Sequence, residues 1–222
     1  MMIALLFAAV VQQGISARLV VLEATVDKKR IGEVSFFKQI VPGKGVERIT
    51  TFKVEEEGEE QYVISERRFF DFKGNPLSVE RTYTEDGEVL TVTVEFHDNI
   101  AEVTFSKGDD EQTNSVALIE EDASIQAASE LWFVTKKPTR SDRVEFWEFD
   151  IDSSNWVKQV VTYHGLTDLK VGEEFLRAHR ITVGEHINIY VDEFGMPYKL
   201  SDKSVRGGLV LTRTLPADGD RS

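Results

Sequence analysis

Four histidines, His97, His164, His179 and His186, are the side chains best suited to metal binding or to proton transfer near neutral pH. None stands in the i, i+4 helical pair that grips zinc. His179 and His186 are an odd number of residues apart, so on one continuous strand they would face opposite ways. Gly184-Glu185 between them marks a turn. A metal site joining His164, His179 and a nearby Asp is therefore the weaker reading, and ordinary turn or partner histidines the stronger. Asp150-Ile151-Asp152-Ser153-Ser154-Asn155 resembles the opening of a calcium loop. It lacks the sixth-position glycine, and Val161 stands where the bidentate Glu belongs. A plain turn between strands is the better reading.

The chain contains no Gly-x-Ser-x-Gly elbow, no phosphate-cradling glycine loop and no zinc-protease pair. It has no cysteine, which removes thiol nucleophiles, disulfides, thiolate metal sites and the lipid-anchored cysteine of a bacterial lipoprotein. Paired carboxylates are abundant in any acidic protein and identify nothing without geometry. No catalytic residue, metal ligand or cofactor is nominated. What remains is aromatic: Trp132, Trp147, Phe149, Trp156, Tyr163 and Tyr190 gather in the C-terminal half. Core packing accounts for most of such a set. The alternative is that these six line an apolar cleft, the usual form of a small-ligand site.

The elements that would carry these side chains are strands. Leu90, Val92, Val94 and Phe96 alternate with Thr91, Thr93 and Glu95, and Ala101, Val103 and Phe105 continue the alternation. A period of two marks a strand with one buried and one wet face. His97-Asp98-Asn99 turns between the two runs. Asp86-Gly87 upstream is the pair a tight hairpin prefers, because both residues tolerate positive φ. Strands joined this closely must be antiparallel. Asp71-Phe72-Lys73-Gly74-Asn75-Pro76-Leu77 and Asp192-Glu193-Phe194-Gly195-Met196-Pro197-Tyr198 share one spacing, Asp-x-x-Gly-x-Pro-apolar. In each, Asp bonds the backbone ahead, Gly takes a left-handed conformation, and Pro opens a strand where no donor is needed. These read as equivalent corners in two halves of one sheet.

Further strands are expected over 18–41 with a bend near Asp27 to Arg30, and over 46–54, 144–151, 156–163, 175–183, 187–192, 198–200 and 208–215. Ser106 to Ser115 reads as a polar, acidic loop. Ile125, Ala128, Ser129 and Trp132 mark a helical face, opened by Asp122 and stopped by Pro138. The expected fold is mainly β: an antiparallel meander forming a barrel or half-barrel, with one covering α-helix near residues 122–135. In Val144 to Ile151 apolar groups occupy both faces, which suits a strand covered on both sides.

The 222 residues fit one domain over 18–215, with Pro216 to Ser222 as a disordered tail. Thirty-nine acidic against 26 basic residues give a formal charge of −13, which disfavours nucleic acid and anionic lipid surfaces. Glu55 to Glu60 and Asp109 to Glu111 look like solvated loop tips. Met1 to Val11 is apolar but too short to span a bilayer, and small residues follow at Gly14, Ser16 and Ala17. Residues 1–17 therefore read as a signal peptide. The expected compartment is periplasmic or extracellular.

The order of elements is similar to an exported bacterial family, domain of unknown function 3108. The likeness rests on Ile31-Gly32-Glu33, the Arg67-to-Thr93 meander and Asp122-Ala123-Ser124. It continues through Pro138 to Asp150, Tyr163-His164-Gly165 to Ile181, and Ile189 to Pro197. It implies an antiparallel β-barrel or half-barrel, related in shape to periplasmic lipoprotein carriers, in a family with no established catalytic residues. The leading expectation is an exported, non-catalytic protein that binds a lipid or other hydrophobic small molecule, or an envelope protein, in its concave face. The alternatives are an accessory module for an envelope enzyme, acting through exposed strand edges, and a hydrolase whose site is assembled from distant residues.

Overall fold

The computed structural model describes residues 17–56, 59–118, 132–133 and 136–214. Among the described residues fourteen strands make up one sheet. The first eight are β1 (Ala17–Val26), β2 (Lys29–Val41), β3 (Gly45–Glu56), β4 (Glu59–Phe70), β5 (Pro76–Glu85), β6 (Glu88–His97), β7 (Ile100–Lys107) and β8 (Asp110–Ala117). The rest are β9 (Arg143–Asp150), β10 (Asn155–Val171), β11 (Glu174–Val183), β12 (Ile187–Val191), β13 (Pro197–Asp202) and β14 (Leu209–Arg213). Spatial order runs β8-β7-β6-β5-β4-β3-β2-β1-β14-β13-β12-β11-β10-β9. Two meanders are thus joined where β1 pairs antiparallel with β14, Leu22 opposite Arg213 and Val26 opposite Leu209.

The hairpins follow from turn chemistry. Asp86 and Gly87 both take positive φ, 50° and 80°, as the hairpin between β5 and β6 requires. The two proline corners share the same bonds to the backbone. The Asp71 carboxylate accepts the amides of Lys73 and Asn75 at 2.7 and 2.9 Å, and that of Asp192 accepts Phe194 and Met196 at 2.9 Å each. In both, the glycine amide returns to the Asp carbonyl at 3.0 Å. Each corner is preceded by a register shift, at Phe69/Phe70 and at Tyr190/Val191, and followed by a strand opening on Pro76 or Pro197.

Among the described residues the sheet curls on itself without closing its ladder, and β8 and β9 are its two ends. Val79, Val92, Val94, Ala101 and Val103 of β5–β7 form one buried cluster with Phe149, Ile151 and Trp156 of the β9–β10 end. The Trp156 indole donates to the Val116 carbonyl of β8 at 3.2 Å, clasping the ends through a side chain. A second cluster holds Trp132, Phe133, Phe146, Val161, Tyr163, Ile181 and Val191. A third, around Leu22, Ala24, Val34, Met196 and Leu211, seals the seam between the meanders. Strand β9 contributes Phe146 to the second cluster and Phe149 to the first, so both its faces are buried as the apolar pattern required.

One segment departs from expectation. The polar stretch Ser106 to Ser115 is not a loop but the end of β7 and most of β8. Strand β8 is exposed along nearly its whole length, with Val116 its one half-buried residue, so it carries no alternating apolar signal. Backbone pairing with β7 and the contact between the Thr104 and Thr113 hydroxyls, 3.0 Å apart, hold it. Polar sequence is also what keeps a sheet edge from recruiting other chains. The covering helix expected near residues 122–135 lies, apart from Trp132 and Phe133, outside the described residues. So do the expected tail and, up to Ala17 at the start of β1, the expected signal peptide.

Candidate functional site

The concave face carries charge that strand parity places there. On β2, Val34 and Phe36 face inward, and Lys38 continues the same alternation. On β3 that face carries Val46, Arg48, Thr50 and Phe52, and on β4 Ile64, Glu66, Arg68 and Phe70. Register then sets Arg18, Lys38, Arg48 and Arg68 directly opposite one another across β1, β2, β3 and β4. Four like charges in one cross-strand row are individually unfavourable, since facing side chains lie only ~5 Å apart.

Carboxylates answer part of the row. Glu66 lies between Arg68, whose Nε donates to Oε1 at 2.5 Å, and Arg81 of β5, whose Nε and Nη2 donate to Oε2 at 2.9 and 2.5 Å. Arg68 also donates to Glu148 of β9, and Arg81 to Asp152 in the β9–β10 turn at 2.5 Å. The Tyr83 hydroxyl accepts from Arg81 at 2.9 Å and donates to Asp152 at 3.0 Å. These bonds fasten β4 and β5 to β9, an element at the far end of the sheet order. Arg68, Glu66 and Arg81 are only 12–14% exposed.

The titration behaviour follows from this packing. Burial alone would raise the Glu66 carboxyl, but Arg68, Arg81 and Arg48 outweigh it and hold the group down to about 2. Burial lowers Arg68 and Arg81 less than Glu66 and their other acidic partners raise them, so both stay above the usual arginine value. Arg48 differs: burial and the neighbouring Arg68 pull it down to about 10. Lys38 is pulled to about 8 by burial, with Arg48 and Arg18 adding to the effect and Asp192 opposing it. Its ammonium donates to the Phe194 carbonyl at 3.1 Å, while the Arg18 guanidinium lies 3.4 Å from the centre of the Phe194 ring. The second proline corner thus folds over one end of the cationic row.

Beside the row the concave face holds a half-open cavity of about 470 Å³. Arg48, Glu66, Arg81, Tyr83 and Asp152 form its polar side. Phe36, Phe52 and Ile64 from one meander and Ile181, Ile189 and Leu200 from the other form its apolar side. The volume and the mixture suit a small organic ligand.

None of the six aromatics singled out from the sequence lines this cavity. Trp147, Phe149 and Trp156 are brought together in the first cluster, with Trp147 partly buried. Trp132 and Tyr163 meet in the second. Tyr190 packs separately, against Leu169, Val171 and Ala178. The Tyr163 hydroxyl and His179 Nδ1 lie 2.7 Å apart, and burial lowers the His179 pKa, but this pair also stands outside the cavity lining. The loop that resembled a calcium site is a turn: Asp150 accepts the Ser153 hydroxyl at 2.6 Å, and Asp152 turns to Arg81. Among the described residues no group of three metal-binding side chains converges. The cationic row and its acidic partners were missed by motif reasoning, although a charge at buried parity was legible in each strand.

No family model matches the chain, domain of unknown function 3108 included, and no curated protein matches it. Among solved structures it is similar to a β-barrel-like protein of domain of unknown function 1849 from Brucella abortus. That match has a TM-score of 0.58 and 12% identity, and covers 90% of this chain and 96% of the other. A protein of domain of unknown function 1089 from Pseudomonas aeruginosa aligns at a TM-score of 0.38 and 11% identity, over 82% and 88% of the two chains. What the first likeness establishes is the fold: this chain has the β-barrel-like architecture of a protein whose function is itself unknown.

Proposed function

We propose that this protein is an exported, non-catalytic binder of a hydrophobic small molecule, held in the cavity of its concave face. The observation that carries the reading is the cavity itself, about 470 Å³, with Phe36, Phe52 and Ile64 facing Ile181, Ile189 and Leu200. Apolar side chains gathered on the inside of a curled sheet offer a hydrophobic ligand surface that removes it from water. Export rests on the apolar run Met1 to Val11 and the small residues after it. Among the described residues no helix is long and apolar enough to cross a membrane.

Titration with the neutral dye Nile red tests the reading. Saturable one-to-one uptake that is lost in Ile189→Asp, and retained when the exposed Phe175 is replaced by Ser, supports it. Uptake that never saturates, or that survives Ile189→Asp in a variant with native circular dichroism, overturns it.

A second reading, an interaction module using strand edges, draws on one observation: among the described residues, β8 and β9 each lack a strand on one side. Stoichiometric co-purification of an envelope protein, abolished by a proline introduced at Thr113, would favour it over cavity binding.

A further inference from the structure

The charges on the cavity wall are matched among themselves. Among the described residues its ionised side chains are Arg48, Glu66, Arg81 and Asp152, so the two signs balance. One Glu66 oxygen accepts from Arg68 and the other from Arg81, while Asp152 accepts from Arg81 and Tyr83. Arg48 lies within reach of the Glu66 and Glu148 carboxylates, both of which favour its charged form. An ion entering this space would give up water only to meet groups already held by a partner of opposite sign. One polar side chain on the wall differs. Thr50 makes no side-chain hydrogen bond to any other described residue. Register sets it between Phe36 on β2 and Glu66 on β4, with Arg48 and Phe52 on either side of it along the same face of β3. Its hydroxyl therefore stands on the border between the polar and the apolar side of the cavity, able both to donate and to accept.

Resting on the cavity-binding reading, we propose that the ligand is an uncharged hydrophobe with one neutral hydrogen-bonding group, a hydroxyl or a carbonyl, which bonds Thr50. The apolar remainder lies against Phe36, Phe52, Ile189 and Leu200. Burial of that remainder supplies the affinity. The hydrogen bond adds only about fivefold, since a neutral pair gains little over water, but it decides which end of the ligand meets the polar side. The balanced ion pairs then act by exclusion: a carboxylate or an ammonium at the same place gains no free counter-charge for the hydration it loses.

Isothermal titration of the full chain near neutral pH with decanol, methyl octyl ketone, decanoate and decylammonium, the two ions below their micelle concentrations, separates the outcomes. At least one of the neutral compounds is expected to bind about tenfold or more tighter than either ion. Whichever of the two binds tighter identifies the group as hydroxyl or carbonyl. Thr50→Val is expected to weaken that compound about fivefold, and Thr50→Ser, which keeps the hydroxyl, to retain it. An ion that matches the neutral compounds overturns the inference, and so does an unchanged neutral affinity in Thr50→Val. If Nile red still binds in either case, the cavity reading stands without it. Nile red uptake with no binding of the neutral compounds also overturns the inference alone, whereas binding of none of these probes overturns both. Where Thr50→Val does not fold, the comparison of neutral with ionised compounds on the unaltered protein decides alone.

Discussion

Lys38 shows how a single side chain records the character of this interior. Burial, with Arg48 opposite it and Arg18 beside it, lowers its pKa to about 8, while Asp192 pulls the other way. In the unfolded chain the group titrates near its ordinary value of 10.5. Between those two values the unfolded state binds more protons than the folded one, so stability must rise with pH across that window. Urea unfolding from pH 8 to pH 10 is expected to show such a rise, on the order of 2 kcal/mol for a shift of this direction and size. Lys38→Met should flatten the curve. Loss of stability across the same window would contradict the placement of Lys38. The residue was readable in sequence only in part: it continues the alternation of Val34 and Phe36, so parity put it inside, yet a lone lysine at a strand end gives no hint of an arginine opposite it on either side and a third one strand further. That row exists only through the register of four strands.

At the scale of elements, the two proline corners were the most legible feature, because their chemistry is local. Asp, Gly and Pro at fixed spacing determine the same hydrogen bonds wherever they occur. Their surroundings differ, and that difference is not local. Asp192 is 9% exposed, contacts Arg213 at 3.5 Å and helps position Phe194 over Lys38, whereas Asp71 is half-buried and bonded to Asn75. Asp71→Ala is expected to destabilise by about 1 kcal/mol and Asp192→Ala by about 3 kcal/mol, because only the second leaves buried donors and a cation without their acceptor. Equilibrium denaturation of the two variants checks the ordering. Equal effects would mean that the corners are equivalent in environment as well as in bonding. Strand β8 was illegible for the opposite reason. Its polar residues hold their place by pairing with β7, and no side-chain pattern announces that.

For the molecule as a whole, the meander was readable from alternation, but the way its ends meet was not. Trp156 was singled out as a candidate ligand contact. It instead joins Phe149 in the cluster that packs β9–β10 onto β5–β7 and donates to β8. Trp156→Ala is expected to destabilise by about 3–5 kcal/mol and to speed amide exchange in β7 and β8 before other strands. Uniform acceleration across the sheet would show that the clasp has no local role. The pairing of β1 with β14 has a kinetic consequence. All other ladders among the described residues join strands that are neighbours in sequence, whereas Thr25 reaches Val210 across 185 positions. Each half can therefore assemble from short-range encounters, while zipping the two together carries the largest closure cost of any single ladder. Until that last event the Leu22 and Leu211 surfaces stay wet, and a newly made copy is then most prone to exchange its final ribbon with a neighbour.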